Sequence, residues 1–323
     1  VPGDGTYEWD GYLPIREKPN DLNPESGFIA TANQNVTPPD FKHWNAIGFS
    51  WSDPYRGDRV NEFLDQKDDL NMMDMKQLQT DVASLPSRIL VPLLDELTLE
   101  NLEVTLKNQL LDWDKKLNPK SVEAALYVAW EDEIRIKAHQ KFVPKKVQKH
   151  FQSLQLKRIL DWVQNPENSP FESLSSRNAF LKETFLNAIT NLKKSLGEDL
   201  SGWQYGQKNY KHSLLIHALG RVSESKIASK LNLGPYPRGG NAYTPASTGS
   251  NNRQSSGASF RMIVNTGDWD ATIGTNAPGQ SGNPESPFYD NLFKDWSEDI
   301  YFPVYYSKKK IEDHLYKKTL LKP

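Results

Sequence analysis

Two side chains carry the chemistry this sequence most plainly offers. Asn33 closes the apolar run Gly27-Phe28-Ile29-Ala30-Thr31-Ala32, and Arg59 stands in Gly57-Asp58-Arg59-Val60 at the start of an expected helix. A carboxamide can donate an N–H to a developing oxyanion, and a guanidinium is a permanent cation. Read singly, each has an ordinary role. An asparagine after a strand is a turn or cap residue, and an arginine at a helix start is a surface cation. That second position opposes the helix dipole, a hint that something else holds Arg59.

Other chemistries find less support. The six histidines, His43, His139, His150, His212, His217 and His314, form no His-Glu-x-x-His pattern and read as structural. The carboxylates Asp268 and Asp270 lack a calcium-loop register and read as turn caps. No Gly-x-Ser-x-Gly elbow occurs. The serines at 247, 250, 255 and 256 fall in a polar loop, and Gly279-Gln280-Ser281-Gly282 reads as a tight turn. Arg238-Gly239-Gly240 lacks the lysine of a phosphate loop. The acidic groups Asp65, Asp68, Asp69 and Glu131, Asp132, Glu133 read as solvated helix faces or caps rather than a glycosidase pair.

The bulk numbers bound the class. At 323 residues the chain can bury a substantial core, and nine tryptophans with 13 tyrosines supply heavy anchors. A net charge of −2 with scattered basic residues gives no footprint for nucleic acid. The Lys308-Lys309-Lys310 run reads as solvated surface. With no cysteine there is no disulfide, thiolate metal site or cysteine nucleophile. The longest apolar run, Ile89-Leu90-Val91-Pro92-Leu93-Leu94, is too short to span a bilayer. No signal peptide opens the chain.

The elements that must position Asn33 and Arg59 fall into three parts. Residues 1–66 are turn-rich, with Gly27 to Ala32 expected as a strand between Asn23-Pro24 and Thr37-Pro38-Pro39-Asp40. Residues 67–200 are helical, the pattern already starting near Asp58, the expected N-cap of a helix carrying Val60, Phe63 and Leu64. Leu99, Leu102, Leu106, Leu110 and Trp113 share one helical face. A second helix is expected to start at Asn118-Pro119 and to carry Val122, Ala125, Leu126, Ala129 and Trp130. A third after Pro144 carries Val147, Phe151, Leu154 and Leu160. The last carries Phe180, Thr184, Phe185, Ala188 and Leu192 and stops near Gly197. These segments share no fixed period, which argues against a solenoid. Residues 201–323 return to turns and strands. Gly239 to Gly257 forms a long loop, functional or mobile, and Ser259 to Asn265 pairs with Ala271 to Thr275 across Gly267-Asp268. Helices and strands in blocks indicate an α+β fold.

The opening block adds Pro2-Gly3-Asp4-Gly5-Thr6-Tyr7-Glu8-Trp9 and Gly11-Tyr12-Leu13-Pro14 to the segment around Asn33. Later come Gly202-Trp203-Gln204-Tyr205-Gly206, Ser256-Gly257-Ala258-Ser259-Phe260-Arg261, Ala277-Pro278-Gly279-Gln280-Ser281-Gly282-Asn283-Pro284 and Asp295-Trp296. In this order the blocks resemble the β-chain of the penicillin acylase family, amide hydrolases with an N-terminal nucleophile. The resemblance implies an αββα sandwich with a large helical insertion, in which this chain is the C-terminal part of the β-chain. It also implies autocatalytic processing, a periplasmic or secreted location, a structural calcium and no organic cofactor. Asn33 matches the asparagine that stabilises the tetrahedral oxyanion, and Arg59 the arginine near the nucleophile, able to hold Asn33. Asn45 aligns with a calcium ligand that is an aspartate in relatives.

The chain opens on Val1 where the family exposes a serine. The resemblance therefore places the nucleophile, the other half of the oxyanion hole and most of the acyl pocket in an upstream partner segment of the same precursor. Alone, this chain is expected neither to hydrolyse amides nor to mature. Penicillins, N-acyl-homoserine lactones and other N-acyl amides all fit as substrates. A competing reading is a non-catalytic module whose many Trp, Tyr and Asn residues bind an extended ligand such as a glycan.

Overall fold

The computed structural model describes residues 1–151, 153–255 and 257–322. Ser256, which opens one of the landmark blocks, and Pro323 lie outside the described residues. The centre is helical. Helix α1 spans Tyr55–Leu64, α2 Met72–Gln79, α3 Leu85–Leu90, α4 Asn101–Asp112, α5 Val122–Phe142, α6 Leu156–Gln164 and α7 Leu174–Leu196. The stripes expected on α4, α5 and α7 all face one apolar core, which includes Leu106, Leu110, Leu126, Trp130, Phe185 and Leu192. Trp130 meets Phe185 edge to face at 5.6 Å, and its indole N–H donates to Thr184 Oγ1 at 3.1 Å. Helix α7 ends on Gly197, whose φ of 93° releases the chain.

All strands among the described residues follow these helices. Strands β1 (His212–Leu215), β2 (Leu233–Pro237) and β3 (Arg253–Gln254) form one sheet in the order β2-β1-β3, antiparallel then parallel. Strands β4 (Phe260–Ile263), β5 (Ile273–Asn276) and β6 (Phe302–Pro303) form an antiparallel second sheet in sequence order. The expected hairpin across Gly267-Asp268 is present, with Phe260 opposite Asn276 and Ile263 opposite Ile273. Among the described residues three short α-helices lie between and after these strands: α8 (Ser225–Leu231), α9 (Phe293–Ser297) and the basic α10 (Lys308–Asp313).

Several local expectations are corrected. No strand forms in residues 1–66, so the core strands expected there, Gly27 to Ala32 included, are absent among the described residues. That segment has no neighbouring strand. Its backbone is instead served by Gln34, whose Oε1 accepts from Ala32 N at 2.6 Å. Helix α1 starts at Tyr55 after Pro54, one turn before Asp58, so Arg59 lies inside the helix. Helix α5 starts three residues past Pro119, where Ser121 Oγ caps Ala124 N at 3.0 Å. Residues 144–151 form turns and a short 3-10 piece rather than a helix. Helix α6 begins only at Leu156, because Asp53 is placed to accept from Leu156 N and Lys157 N at 3.1 and 2.9 Å.

Candidate active site

Asn33 is held from two sides. Phe28 and Ala30 pack against Phe63, Leu64 and Leu78 of α1 and α2. Gly57 lets the chain approach α1 closely, since a Cβ there would collide with the Gln34 carboxamide. Asn33 itself adopts a φ of 67°, a left-handed conformation that asparagine tolerates better than most residues. Its Oδ1 accepts from Arg56 Nη2 at 2.6 Å. Among the described residues Nδ2 has no partner, so the carboxamide presents its N–H groups outward.

Arg59, one turn further along α1, faces elsewhere. Its Nε and Nη2 donate to Asp81 Oδ2 at 2.8 and 2.6 Å, and its Nη1 donates to Glu62 Oε2 at 3.0 Å. Glu62 in turn accepts from Arg88 Nη1 of α3 at 2.7 Å. The cation expected beside Asn33 is thus Arg56, and Arg59 ties α1 to the Asp81 loop. Arg56 escapes a reading that starts the helix at Asp58, which leaves Arg56 outside it. Seeing it required the true helix start at Tyr55.

Beside Asn33 and Arg56 opens a cavity of about 570 Å³ whose wall includes Val60, Met75, Leu78 and Met262. Its wall mixes these apolar side chains with two carboxamides, Asn33 and Gln79, and the Arg56 guanidinium, which suits a ligand with an apolar body and polar groups.

Asn45 sits exposed in the 3-10 turn Trp44–Ala46. Calcium takes six to eight oxygens. Among the described residues no group of three or more histidine or acidic side chains gathers to hold a metal. The Asn45 carboxamide offers one such oxygen.

The acidic cluster on α5 is also corrected. Glu131 is 2% exposed, not solvated. Its Oε2 accepts from Tyr127 Oη at 2.7 Å and its Oε1 from Asn241 Nδ2 at 3.4 Å. Burial pushes its pKa up to about 8, against the opposing Tyr127 hydrogen bond. The sequence pattern Glu131-Asp132-Glu133 suggested water on every side, but Glu131 points into the core face of α5. The loop from Gly239 is likewise held in place, with Asn241, Thr244 and Thr248 buried. As expected, Asp268 and Asp270 cap turns, Asp270 Oδ1 accepting from Tyr306 N and Ser307 N.

These features sit in a recognisable frame. The family model described as penicillin amidase matches residues 1–313, and the chain belongs to that family. An acyl-homoserine lactone acylase, QuiP, of Pseudomonas aeruginosa is 26% identical over 344 residues, covering 93% of this chain and 40% of that protein. The penicillin acylase 2 proenzyme of Pseudomonas sp. strain SE83 is 24% identical, covering 96% and 41%. Among solved structures, a thermostable penicillin G acylase from Alcaligenes faecalis matches with a TM-score of 0.64 at 15% identity, over 99% of this chain and 61% of that one. The chain therefore shares the mixed helix-and-sheet fold of that penicillin G acylase. The chain spans about 40% of the length of the curated relatives it matches. Among the described residues no helix is long and apolar enough to cross a membrane.

Proposed function

We propose that this chain is the C-terminal part of the β-subunit of an amidohydrolase that cleaves N-acyl amide bonds. The observation that carries the reading is the Asn33 carboxamide, fixed through its oxygen, with Nδ2 unpartnered among the described residues, beside a cavity of mixed apolar and polar lining. Family membership supplies the reaction class. In this reading a serine on the upstream segment attacks the amide carbonyl. Its own α-amine, with an unperturbed pKa near 8, takes the proton. As the carbonyl oxygen gains charge, Asn33 Nδ2 donates to it, an interaction that strengthens towards the tetrahedral state. Arg59, paired with Asp81 and Glu62, anchors the helix that borders the site. Substrates are N-acyl compounds of the penicillin or N-acyl-homoserine lactone type, met in the periplasm or outside the cell. The chain by itself neither matures nor hydrolyses amides.

The test is Asn33→Ala in the complete enzyme. Removing an oxyanion donor lowers kcat by about a hundredfold or more, with the circular dichroism spectrum and melting temperature retained. Turnover near wild type in a folded Asn33→Ala enzyme refutes the role.

A further inference from the structure

A carboxamide stabilises an oxyanion only if its nitrogen, not its oxygen, faces the reacting carbonyl. Rotation of the Asn33 side chain exchanges the two, so its partner decides which end is presented. The Oδ1 partner here is the Arg56 guanidinium, 2.6 Å away. A guanidinium can only donate, so the contact admits the oxygen and excludes the nitrogen. The positive charge also polarises the amide and strengthens its N–H groups as donors.

We infer that Arg56 is the positioning residue of the oxyanion donor: it holds Oδ1 of Asn33 and thereby turns Nδ2 towards the reacting carbonyl. The inference rests on the proposed role of Asn33. Two further observations support it. Arg59 is committed to Asp81 and Glu62 through all three of its nitrogens, whereas Arg56 has no carboxylate within ion-pair distance among the described residues. Arg56 is also rigidly based. On one side Asp53 caps α6. Tyr55, 6% exposed, meets Tyr243 edge to face at 6.1 Å, and on the other side Gly57 lies against Gln34. A guanidinium carried on so anchored a turn can fix a side chain on the facing loop.

The experiment is a double-mutant cycle in the complete acylase, this chain together with the serine-bearing segment, with a chromogenic N-acyl anilide as probe. Arg56→Ala lowers kcat about tenfold or more while KM stays within about twofold, the pattern of an interaction made only in the transition state. Arg56→Lys, which restores a cationic donor, recovers most of the loss. In an Asn33→Ala background, removing Arg56 costs less than about threefold, because the group it orients is gone. Additive losses, or an Arg56→Ala enzyme with wild-type kcat, overturn the inference while leaving Asn33's role intact. An Asn33→Ala enzyme of wild-type activity instead removes the reading on which it rests. Should Arg56→Ala fail to fold, Arg56→Met keeps the packing of the stem, lacks every donor and carries the same expectations.

Discussion

Asp81 gathers Arg59 onto one of its oxygens, accepting from Nε at 2.8 Å and Nη2 at 2.6 Å, while its other oxygen accepts from Ala83 N at 2.6 Å. The pair is 9% and 13% exposed at its side chains, so water screens it little. It joins α1, which carries the site, to the turn that leads into α3. Asp81→Ala leaves a largely buried guanidinium with Glu62 as its remaining partner. We expect a loss of about 2–4 kcal/mol of stability, read as a lower urea midpoint with unchanged slope. Glu62→Gln, at a site 34% exposed, costs less than Asp81→Ala; equal costs would contradict this ranking.

Glu131 makes stability depend on pH in an unusual direction. Its carboxyl titrates near 8 in the folded chain because burial disfavours the charged form, and near its ordinary value of 4.5 when unfolded. Between these values the folded state binds more protons than the unfolded one. Stability from this group is therefore fully present below about pH 4.5 and declines as pH rises towards 8. Glu131→Gln flattens the melting temperature profile across that window. An unchanged slope in the variant excludes Glu131 as the source.

Lys211 is 1% exposed and gives its ammonium to three backbone carbonyls, Thr248 at 3.0 Å, Gly249 at 2.9 Å and Asn251 at 2.7 Å. It acts as the clasp of the loop that begins at Gly239. Lys211→Met strips all three acceptors of their donor, and we expect a loss of about 1–3 kcal/mol. Hydrogen exchange localises the effect: amides of 248–254 exchange faster than those of α5 and α7. Uniform acceleration across the chain would argue against a local clasp.

Gly279 is required by space rather than by its backbone angle. A Cβ there would meet the Phe288 carbonyl oxygen in hard contact and the Tyr289 oxygen at 2.6 Å. Both are backbone atoms, and Phe288 O also accepts from Gln280 N at 2.9 Å and Ser281 N at 3.0 Å. Gly279→Ala destabilises by about 2 kcal/mol or more, whereas Gly282→Ala, with open space at its Cβ, stays within about 0.5 kcal/mol. Thermal unfolding of the two variants side by side checks the contrast.

The helical stripes were legible because a period of 3.6 is written locally. Leu106 and Leu110 on α4, and Phe185 and Leu192 on α7, need no knowledge of their partners to be assigned to a core. The hairpin at Gly267-Asp268 was legible for the same reason, through alternation and a turn signal. Helix starts were read less well. Asn118-Pro119 and Asp58 both look like caps, yet Ser121 and Pro54 hold those positions, since the cap is chosen by where the chain enters its tertiary packing. The strand expected at Gly27 to Ala32 fails because a strand exists only by pairing, and the pairing partner is not written in the segment itself.

The sequence by itself determined the family, through ordered blocks from Pro2 to Trp296, and with it the identity of Asn33 as the residue to examine. The tertiary structure alone decided which arginine reaches it. Arg56 and Arg59 have the same charge, the same reach and neighbouring places on one helix. The difference lies in what surrounds them: Asp81 and Glu62 converge on Arg59, and the loop carrying Asn33 passes over Arg56. The same holds for Glu131, a carboxylate whose neighbours in sequence suggest water and whose neighbours in space are Tyr127 and Asn241. Charge and hydrogen-bonding capacity are properties of a residue; the partner that uses them is set by contacts between segments far apart in the chain.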